Sequence, residues 1–435
     1  MEVSLEVYRD IVRNVAHRSD IAALCGVSRA FRHAAERALY NTLTVSDEDR
    51  RPSTTLARSP RIAALVVALT VQIRRRRQDD EEEHDDGDDQ SESDASGDGV
   101  RTTTSRRSTL EGGASTPLPL DNYWASLAGA LRNTTGLRHL TVDIADPADS
   151  ANAWVLDGSL FQLRTFHCDF DWDRALLAFL SSQSALHDLS LRDYRDLDTS
   201  DVSSPPISTE DPLRSKTPII SGAASDTLEI PPDTQDTRPS RSLPSPSLHI
   251  LATLECTFSE AVVALAPGRP LARLKTCFSR PDSAGKRAEL LALLAALRLS
   301  MRPICALDMA DTLYTESSSI ELLHRVAHTQ ATSRELRYLG TLALPVGGRK
   351  RLHFYGLLMR LKLLRCLEVD VSGWSPPPSS SPAFRALAAE LRLYCPNVAT
   401  VVFVREFERT VVSTAANGVL RIDEDASPEL FWREI

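Results

Sequence analysis

An apolar pattern spaced Φ-x-x-Φ-x-Φ, in which Φ is an apolar residue and most often Leu, recurs along the chain. Its regular copies are Leu137/Leu140/Val142, Leu163/Phe166/Cys168, Leu186/Leu189/Leu191, Leu251/Leu254/Cys256, Ile304/Leu307/Met309, Leu364/Leu367/Val369 and Val398/Val401/Phe403. Two copies are imperfect: Leu336/Leu339 has its third member displaced to Leu342, and Leu271/Leu274 is weaker. We interpret each copy as a short strand that sends its apolar residues inward.

Segments with apolar residues at helical spacing lie between these copies. They cover residues 121–132, 174–180, 283–299, 318–327 and 382–394. Asp173 can cap the second of them, and Pro382 stands in a first-turn position that a helix accepts. Strand and helix alternate at intervals of roughly 20 to 35 residues, apart from one long insertion, which is typical of a leucine-rich-repeat-like α/β solenoid with a continuous parallel sheet.

The repeats depart from the usual leucine-rich pattern in one respect. That pattern continues to an Asn whose side chain bonds the backbone of neighbouring turns, but the first three copies carry Ala145, Asp171 and Tyr194 there. No asparagine ladder can form at these positions, so we expect an irregular array. The alternative fold is an ordinary doubly wound α/β domain whose strands happen to be similarly spaced.

Three stretches carry too little apolar surface to offset the chain entropy lost on ordering. They are 74–117, 199–247 and the short run 375–382, and we expect disordered insertions there. The predicted repeat units then occupy 118–198 and 248–435. Residues 46–73 are expected to hold a linker and the first strand and helix of the solenoid.

Residues 4–45 differ from the repeats and predict a module of three short helices. Leu5, Tyr8, Val12 and Val15 follow helical spacing in the first, and Asp20 and Ser28 can cap the second and third. At about 40 residues, such a module is near the lower size limit for independent stability. Part of its apolar surface is therefore expected to pack on another chain or on the solenoid.

This module resembles an F-box, especially those of fungal F-box proteins with divergent leucine-rich repeats. The resemblance is carried by S-L-E-V-Y-R-D-I-V-R-N-V (4–15), D-I-A-A-L-C-G-V-S-R-A-F-R-H-A-A (20–35) and A-L-Y-N-T-L (38–43). Leu5 is followed by Glu6, where the family usually has Pro. The resemblance implies that the module binds a Skp-type adaptor of a cullin ubiquitin ligase while the repeats select substrates. The adaptor-facing residues that it implies are Leu5, Ile11, Leu24, Val27 and Phe31.

The negative charge of the chain is concentrated in one tract. The net charge is −9, but residues 79–98 hold twelve carboxylates and no Lys or Arg, so the remainder carries only +3. A nearly neutral remainder gives no electrostatic case for nucleic acid or an anionic membrane as a partner. No window approaches eighteen uninterrupted apolar residues and no secretion signal is present, so we expect a soluble cytoplasmic or nuclear protein.

Motifs for catalysis, metals or cofactors are not evident in the sequence. His324 and His328 are four residues apart, but Arg325 stands where a zinc protease needs Glu, so we expect a solvated or partly buried pair. Seven scattered cysteines without a C-x-x-C pair favour reduced thiols over disulfides or zinc. We favour a solvated loop for the basic run 74–77, and Ser91 resembles an acidophilic kinase site.

Three functions are compatible with these features. The first is a non-catalytic substrate receptor of a Skp-cullin-F-box type ubiquitin ligase, with no cofactor and with an unknown protein as substrate. The second is a repeat scaffold without ligase association, in which the first three helices only cap the solenoid. The third, an enzyme with an unrecognised site, has the least support.

Overall fold

A single sheet organises the chain. The computed structural model describes residues 4–74, 120–192, 247–311, 315–406 and 408–435. Within them, 13 strands form one open sheet whose spatial order equals the sequence order. The strands are β1 (Thr42–Ser46), β2 (Ala68–Ile73), β3 (His139–Ile144), β4 (Thr165–Cys168), β5 (Asp188–Leu191), β6 (Thr253–Cys256), β7 (Arg273–Cys277), β8 (Ala306–Ala310), β9 (Tyr338–Ala343), β10 (Cys366–Asp370), β11 (Thr400–Arg405), β12 (Glu408–Thr414) and β13 (Leu420–Ile422).

The repeated apolar positions fall into register across the parallel strands β1 to β11. The central Φ of each copy pairs with the central Φ of the next. The row runs Leu43, Leu69, Leu140, Phe166, Leu189, Leu254, Leu274, Leu307, Leu339, Leu367, Val401. A one-residue slip would turn these side chains to the opposite face, so burial of the row fixes the register. The sequence pattern thus predicted the strands from β3 to β11.

Most of the helices pack over the apolar face of this sheet and form the main core with it. The helices are α1 (Leu5–Arg13), α2 (Arg18–Leu24), α3 (Arg29–Tyr40), α4 (Arg51–Arg58), α5 (Pro60–Ala63), α6 (Leu120–Asn133), α7 (Arg174–Ser182), α8 (Ser259–Leu265), α9 (Ser283–Arg298), α10 (Glu316–His328), α11 (Gln330–Ser333), α12 (Gly348–Leu358), α13 (Ser381–Tyr394) and α14 (Phe431–Glu434). The first three form a separate cluster, and α14 packs on the opposite face. A doubly wound fold needs a reversal of strand order, and this sheet has none. The fold is therefore mixed α/β, and the doubly wound alternative is wrong.

Side-chain caps begin several of the helices at the expected places. The Asp173 carboxylate accepts a hydrogen bond from the Leu176 amide at 2.8 Å, as its position before α7 predicts. Pro382 lies in the first turn of α13, so the last two residues of the stretch 375–382, which was expected to be disordered, are helical. Asp20 does not cap the second helix: α2 starts at Arg18, and Asp20 lies in its first turn, where its charge favours the helix dipole.

Neighbouring units are tied together by polar side chains of several kinds instead of an asparagine ladder. Asp169 accepts a buried hydrogen bond from the Ile144 amide at 2.9 Å. Gln183 accepts one from the Leu163 amide at 2.9 Å, and Ser319 accepts one from the Ala343 amide at 2.9 Å. Each bond satisfies a backbone donor that would otherwise be buried without a partner.

Two ends of the chain differ from the predicted domain boundaries. The first strand begins at Thr42, within the range 4–45 assigned to the helical module, because α3 leads through Asn41 directly into β1. At the other end, β12 and β13 pair antiparallel, so residues 408–435 add no further parallel unit to the range 248–435. Most of the range 74–117 and of 199–247, including the tract 79–98 and Ser91, lies outside the described residues.

Gly340 in β9 leaves room for a side chain of the neighbouring strand. A Cβ atom at this position would lie 2.0 Å from Oδ1 of Asp308 and 2.8 Å from the Asp308 Cα. The Cα approach cannot be relieved by rotating the Asp308 side chain. We expect Gly340→Ala to lower the free energy of unfolding by about 1 to 3 kcal/mol or more, as measured by chemical denaturation.

Gly356 provides the matched control for that substitution. It lies in α12, and a Cβ atom added there would meet nothing within 4 Å. Gly356→Ala should leave stability unchanged or raise it by about 1 kcal/mol, since Ala is the better helix former. Equal stability of Gly340→Ala and the unmodified chain would contradict the close approach at β9.

Candidate interaction surfaces

The amino-terminal helices hold together through a small cluster of their own. Val12, Ala34 and Ala35 are buried at its centre. Tyr8 and Phe31 pack edge to face across α1 and α3, with ring centroids 4.8 Å apart. Three buried residues are few for a separate unit, so the module depends on further contacts.

Those further contacts lead toward the sheet. The Arg61 guanidinium binds both carboxylate oxygens of Glu36 at 2.6 and 3.1 Å, which joins α5 to α3. This hydrogen-bonded pair lowers the pKa of Glu36. Arg18 also donates to the Leu39 carbonyl at 2.7 Å and fastens α2 to the end of α3. The module is therefore anchored at one side, through α3.

Apolar residues remain exposed elsewhere on the module. Leu5 is 38% exposed, Val7 46%, Ile11 44% and Val27 64%. Val7 and Ile11 lie four residues apart and share a face of α1 that does not contact the cluster. Within so small a module, this much exposed apolar surface makes these residues a candidate interaction site. We call these four residues the module patch.

The five residues that the sequence indicated as adaptor-facing divide into two groups. Leu5, Ile11 and Val27 are exposed and belong to the module patch. Leu24 and Phe31 are half-buried and pack against the internal cluster. Val7 was missed, although its spacing of four from Ile11 is a usable signal for a shared helical face.

A second surface lies on the sheet face opposite the main core. Alternate strand residues point to this face, and a small apolar cluster forms there from Ala306, Tyr338, Cys366, Val402, Val411 and Trp432. Trp432 comes from α14, which crosses back over β7, β8 and β9. We call residues 423–435 the strap. The Trp432 side chain is almost fully buried, at 1% exposure.

Next to Trp432, Arg433 of the strap binds two strands at once. Its Nη1 lies 2.5 Å from Oδ2 of Asp188 in β5, and its Nη2 lies 2.7 Å from Oε2 of Glu255 in β6. The guanidinium carbon also sits 4.5 Å from the Trp432 ring centroid. Burial by itself raises the pKa of Asp188, but His167 and Arg433 outweigh it and lower the pKa below its ordinary value. The carboxylate is therefore held ionised.

Two further carboxylates are buried on the same face, close to the strap. Glu368 accepts hydrogen bonds from the Tyr338 hydroxyl at 2.8 Å and the Thr341 hydroxyl at 3.1 Å. The Asp308 carboxylate is less fully hydrogen-bonded, because its Oδ1 has no hydrogen-bond partner. Burial, with the nearby charge of Glu368, raises the pKa of Asp308 to about 6. The acidic side chains on this face therefore differ in how well hydrogen bonds and nearby charges stabilise them.

The histidine pair and the cysteines are the remaining candidate reactive groups among the described residues. His328 Nδ1 lies 2.7 Å from the His324 carbonyl, and its Nε2 faces Arg360. No group of three or more His, Cys, Asp or Glu residues there is placed to hold a metal ion. All seven cysteines are free, and burial raises the pKa of Cys256 to about 12, so this thiol stays protonated at neutral pH.

Among the same residues, no helix has both the length and the apolar character needed to cross a membrane. Comparison with known proteins adds no family to these observations: no family model matches the chain, and no curated protein matches it.

Proposed function

We propose that the chain is the substrate receptor of a Skp-cullin-F-box type ubiquitin ligase. In this proposal the amino-terminal module binds a Skp-type adaptor, and the sheet is a leucine-rich-repeat-like solenoid. The solenoid presents the sheet face opposite the main core, which we call the polar face, to a protein substrate. The observation that carries it is the module patch, which leaves four apolar side chains exposed immediately before a parallel sheet in sequence order.

The in-register apolar row supports the solenoid part of the proposal. Each strand from β1 to β11 contributes one central apolar residue to the row, and each unit pairs with its sequence neighbours. Stacking of this kind builds a long open surface from short segments, as in repeat proteins that bind other proteins.

The proposed contribution to ubiquitin transfer is positioning. Holding a substrate lysine near a ligase-bound conjugating enzyme converts an encounter between separate molecules into a reaction within one assembly. The chain supplies two binding surfaces for this purpose and needs no nucleophile or general base of its own.

Adaptor retention by the intact chain tests the proposal. The variant Ile11→Asp plus Val27→Asp places two charges in the module patch without removing a residue of the internal cluster. Each buried aliphatic side chain is worth about 1.5 to 3 kcal/mol at an interface, so we expect adaptor affinity to fall by more than about 100-fold. Leu24 is left unchanged because its loss would weaken the module itself.

Leu160→Asp plus Leu393→Asp is the matched control, since these leucines are 77% and 82% exposed and lie outside the module. The control should retain the adaptor, and both double variants should keep the helical circular dichroism of the unmodified chain. Failure of the unmodified chain to retain any Skp-type adaptor would rule the ligase function out.

A second candidate, a repeat scaffold without ligase association, is favoured by one observation. The module is joined to the sheet through α3, β1 and the Glu36–Arg61 pair, as a capping element would be. That function predicts that Glu36→Ala plus Arg61→Ala lowers the melting temperature of the whole chain. If the module is not a cap for the sheet, the variant removes only one ion pair, in which Arg61 is 67% and Glu36 16% exposed, and melting of the sheet changes little.

A further inference from the structure

The polar sheet face has the form of a two-part recognition site beneath the strap. One part is the apolar cluster that encloses the Trp432 ring on β8, β9 and β10. The other is the pair of carboxylates, Asp188 and Glu255, on the adjacent strands β5 and β6. Each part is specific for one side chain, an aromatic ring followed directly by a guanidinium.

Arginine suits the carboxylate pair better than lysine does. Two different nitrogens of one planar guanidinium reach the two carboxylates, at 2.5 and 2.7 Å. A lysine ammonium is a single point of charge and cannot span two acceptors on neighbouring strands in the same way. Two other basic side chains lie within ion-pair distance, but each pairs with only one of the carboxylates: His167 lies 3.9 Å from Asp188 and Lys275 lies 3.7 Å from Glu255.

The strap contacts this face chiefly through side chains. Its first residue, Asp423, donates its backbone amide to the Val411 carbonyl at 2.9 Å. Further along, the amides of Leu430 and Ile435 bond Ser427 and Phe431 within the strap itself. Since α14 is a single short turn and adds no strand to the sheet, its place depends on Trp432, Arg433 and their apolar neighbours.

We propose that this face is a peptide-binding site for a partner segment in which an aromatic residue is followed by arginine, and that the strap occupies it as an internal ligand. A partner binds by displacing the strap. The site itself requires no adaptor, and only the identification of its partner as a ligase substrate rests on the proposed receptor function.

Tethering sets how strongly the strap competes. A ligand joined to its site by a short linker acts at an effective concentration of the order of millimolar. A free segment with the same two side chains must compete with it, so its apparent affinity for the unmodified chain is reduced. Weakening the contacts of the strap should therefore raise the apparent affinity of the site for a free segment.

The test uses the full chain and a fluorescent peptide that copies residues 424–435. Trp432→Ala plus Arg433→Glu in the chain removes both strap contacts, while the peptide keeps them. In fluorescence anisotropy, we expect this variant to bind the peptide at least about 10-fold more tightly than the unmodified chain does. A peptide with Arg433→Lys should bind more weakly, and one with Arg433→Glu should not bind.

Charge reversal in the site provides a control on the protein side. Adding Glu255→Lys to the variant should abolish peptide binding, whereas Glu6→Lys, at an exposed position in α1, should not. If the folded variant does not bind the peptide, the strap is only an intramolecular brace and the proposal is wrong.

A second measurement covers the case in which the variant does not fold. Excess peptide added to the unmodified chain should accelerate amide hydrogen exchange in residues 423–435, because it displaces the strap. Unchanged exchange at saturating peptide would overturn the proposal. Neither experiment involves the adaptor or the module patch. Failure of this site and failure of the ligase function therefore give different results.

Discussion

Replacing Asp308 by Asn is expected to remove a pH-dependent loss of stability. Burial raises the pKa of Asp308 to about 6, from an ordinary value near 3.8. Between these values the unfolded chain releases the proton while the folded chain keeps it, so the free energy of unfolding falls as pH rises through this window. The total loss is about 3 kcal/mol, at about 1.4 kcal/mol for each pKa unit.

The Asn variant has no such proton to release and should lose less stability between pH 4 and pH 7. Chemical denaturation of both proteins at the two pH values measures the difference. Asp157→Asn, at an exposed position, serves as the control and should follow the unmodified chain. A parallel loss of stability in the unmodified and Asp308→Asn chains would show that ionisation of Asp308 is not its source.

The unfavourable placement of Asp308 fits the character of the face on which it lies. Residues 188, 255, 308 and 368 are all acidic and come from strands β5, β6, β8 and β10 of the same sheet. Arg433 compensates the first two, and Glu368 has two hydroxyl donors. Carboxylates kept at a cost to stability are a feature of binding surfaces more than of structural cores.

The strands of the sheet could largely be predicted from the sequence, because each depends on a short local pattern. Each one needs only a few residues at the spacing Φ-x-x-Φ-x-Φ, and burial on one face then fixes the register. Val66, Leu69 and Val71 also follow this spacing, and the last two lie in β2, although this copy was not recognised. The displaced Leu342 corresponds to an irregularity in β9, where the register with β10 shifts between Leu367 and Val369.

The strap could not be read in the same way. Arg433 contacts Asp188 and Glu255 across 245 and 178 positions of sequence, and no periodicity links them. The two acidic residues occupy outward-facing positions next to inward-facing apolar residues, where sequence alone shows only a solvated residue. Trp432 likewise lies in a short segment without a helical or strand repeat. Such contacts depend on the three-dimensional path of the chain.

The module patch was predictable in part. Leu5, Ile11 and Val27 were selected through the resemblance to an F-box, but the same resemblance also selected Leu24 and Phe31, which pack inward. The nine-residue helix α1 has apolar residues around much of its surface, and α3 packs against only part of it. Exposed and internal apolar residues of α1 therefore look alike in the sequence. Only the packing of α1 on α3 separates them.

Phe166→Ala is expected to have the largest destabilising effect among these substitutions. Phe166 is fully buried in the apolar row at β4, and its ring packs edge to face on Phe179 at 5.4 Å. Loss of a buried Phe side chain typically costs about 3 to 5 kcal/mol. If the sheet is a repeat array in which each unit is stabilised by its neighbours, the loss should be felt first in nearby strands.

Hydrogen exchange tests this, with Phe403→Ala as the matched variant near the other end of the parallel strands. Phe403 is also buried, in β11, and packs on Phe384 at 5.2 Å. We expect Phe166→Ala to reduce protection mainly in β3 to β5, and Phe403→Ala mainly in β10 and β11. Equal loss of protection throughout the sheet in both variants would indicate one cooperative core and argue against a repeat solenoid.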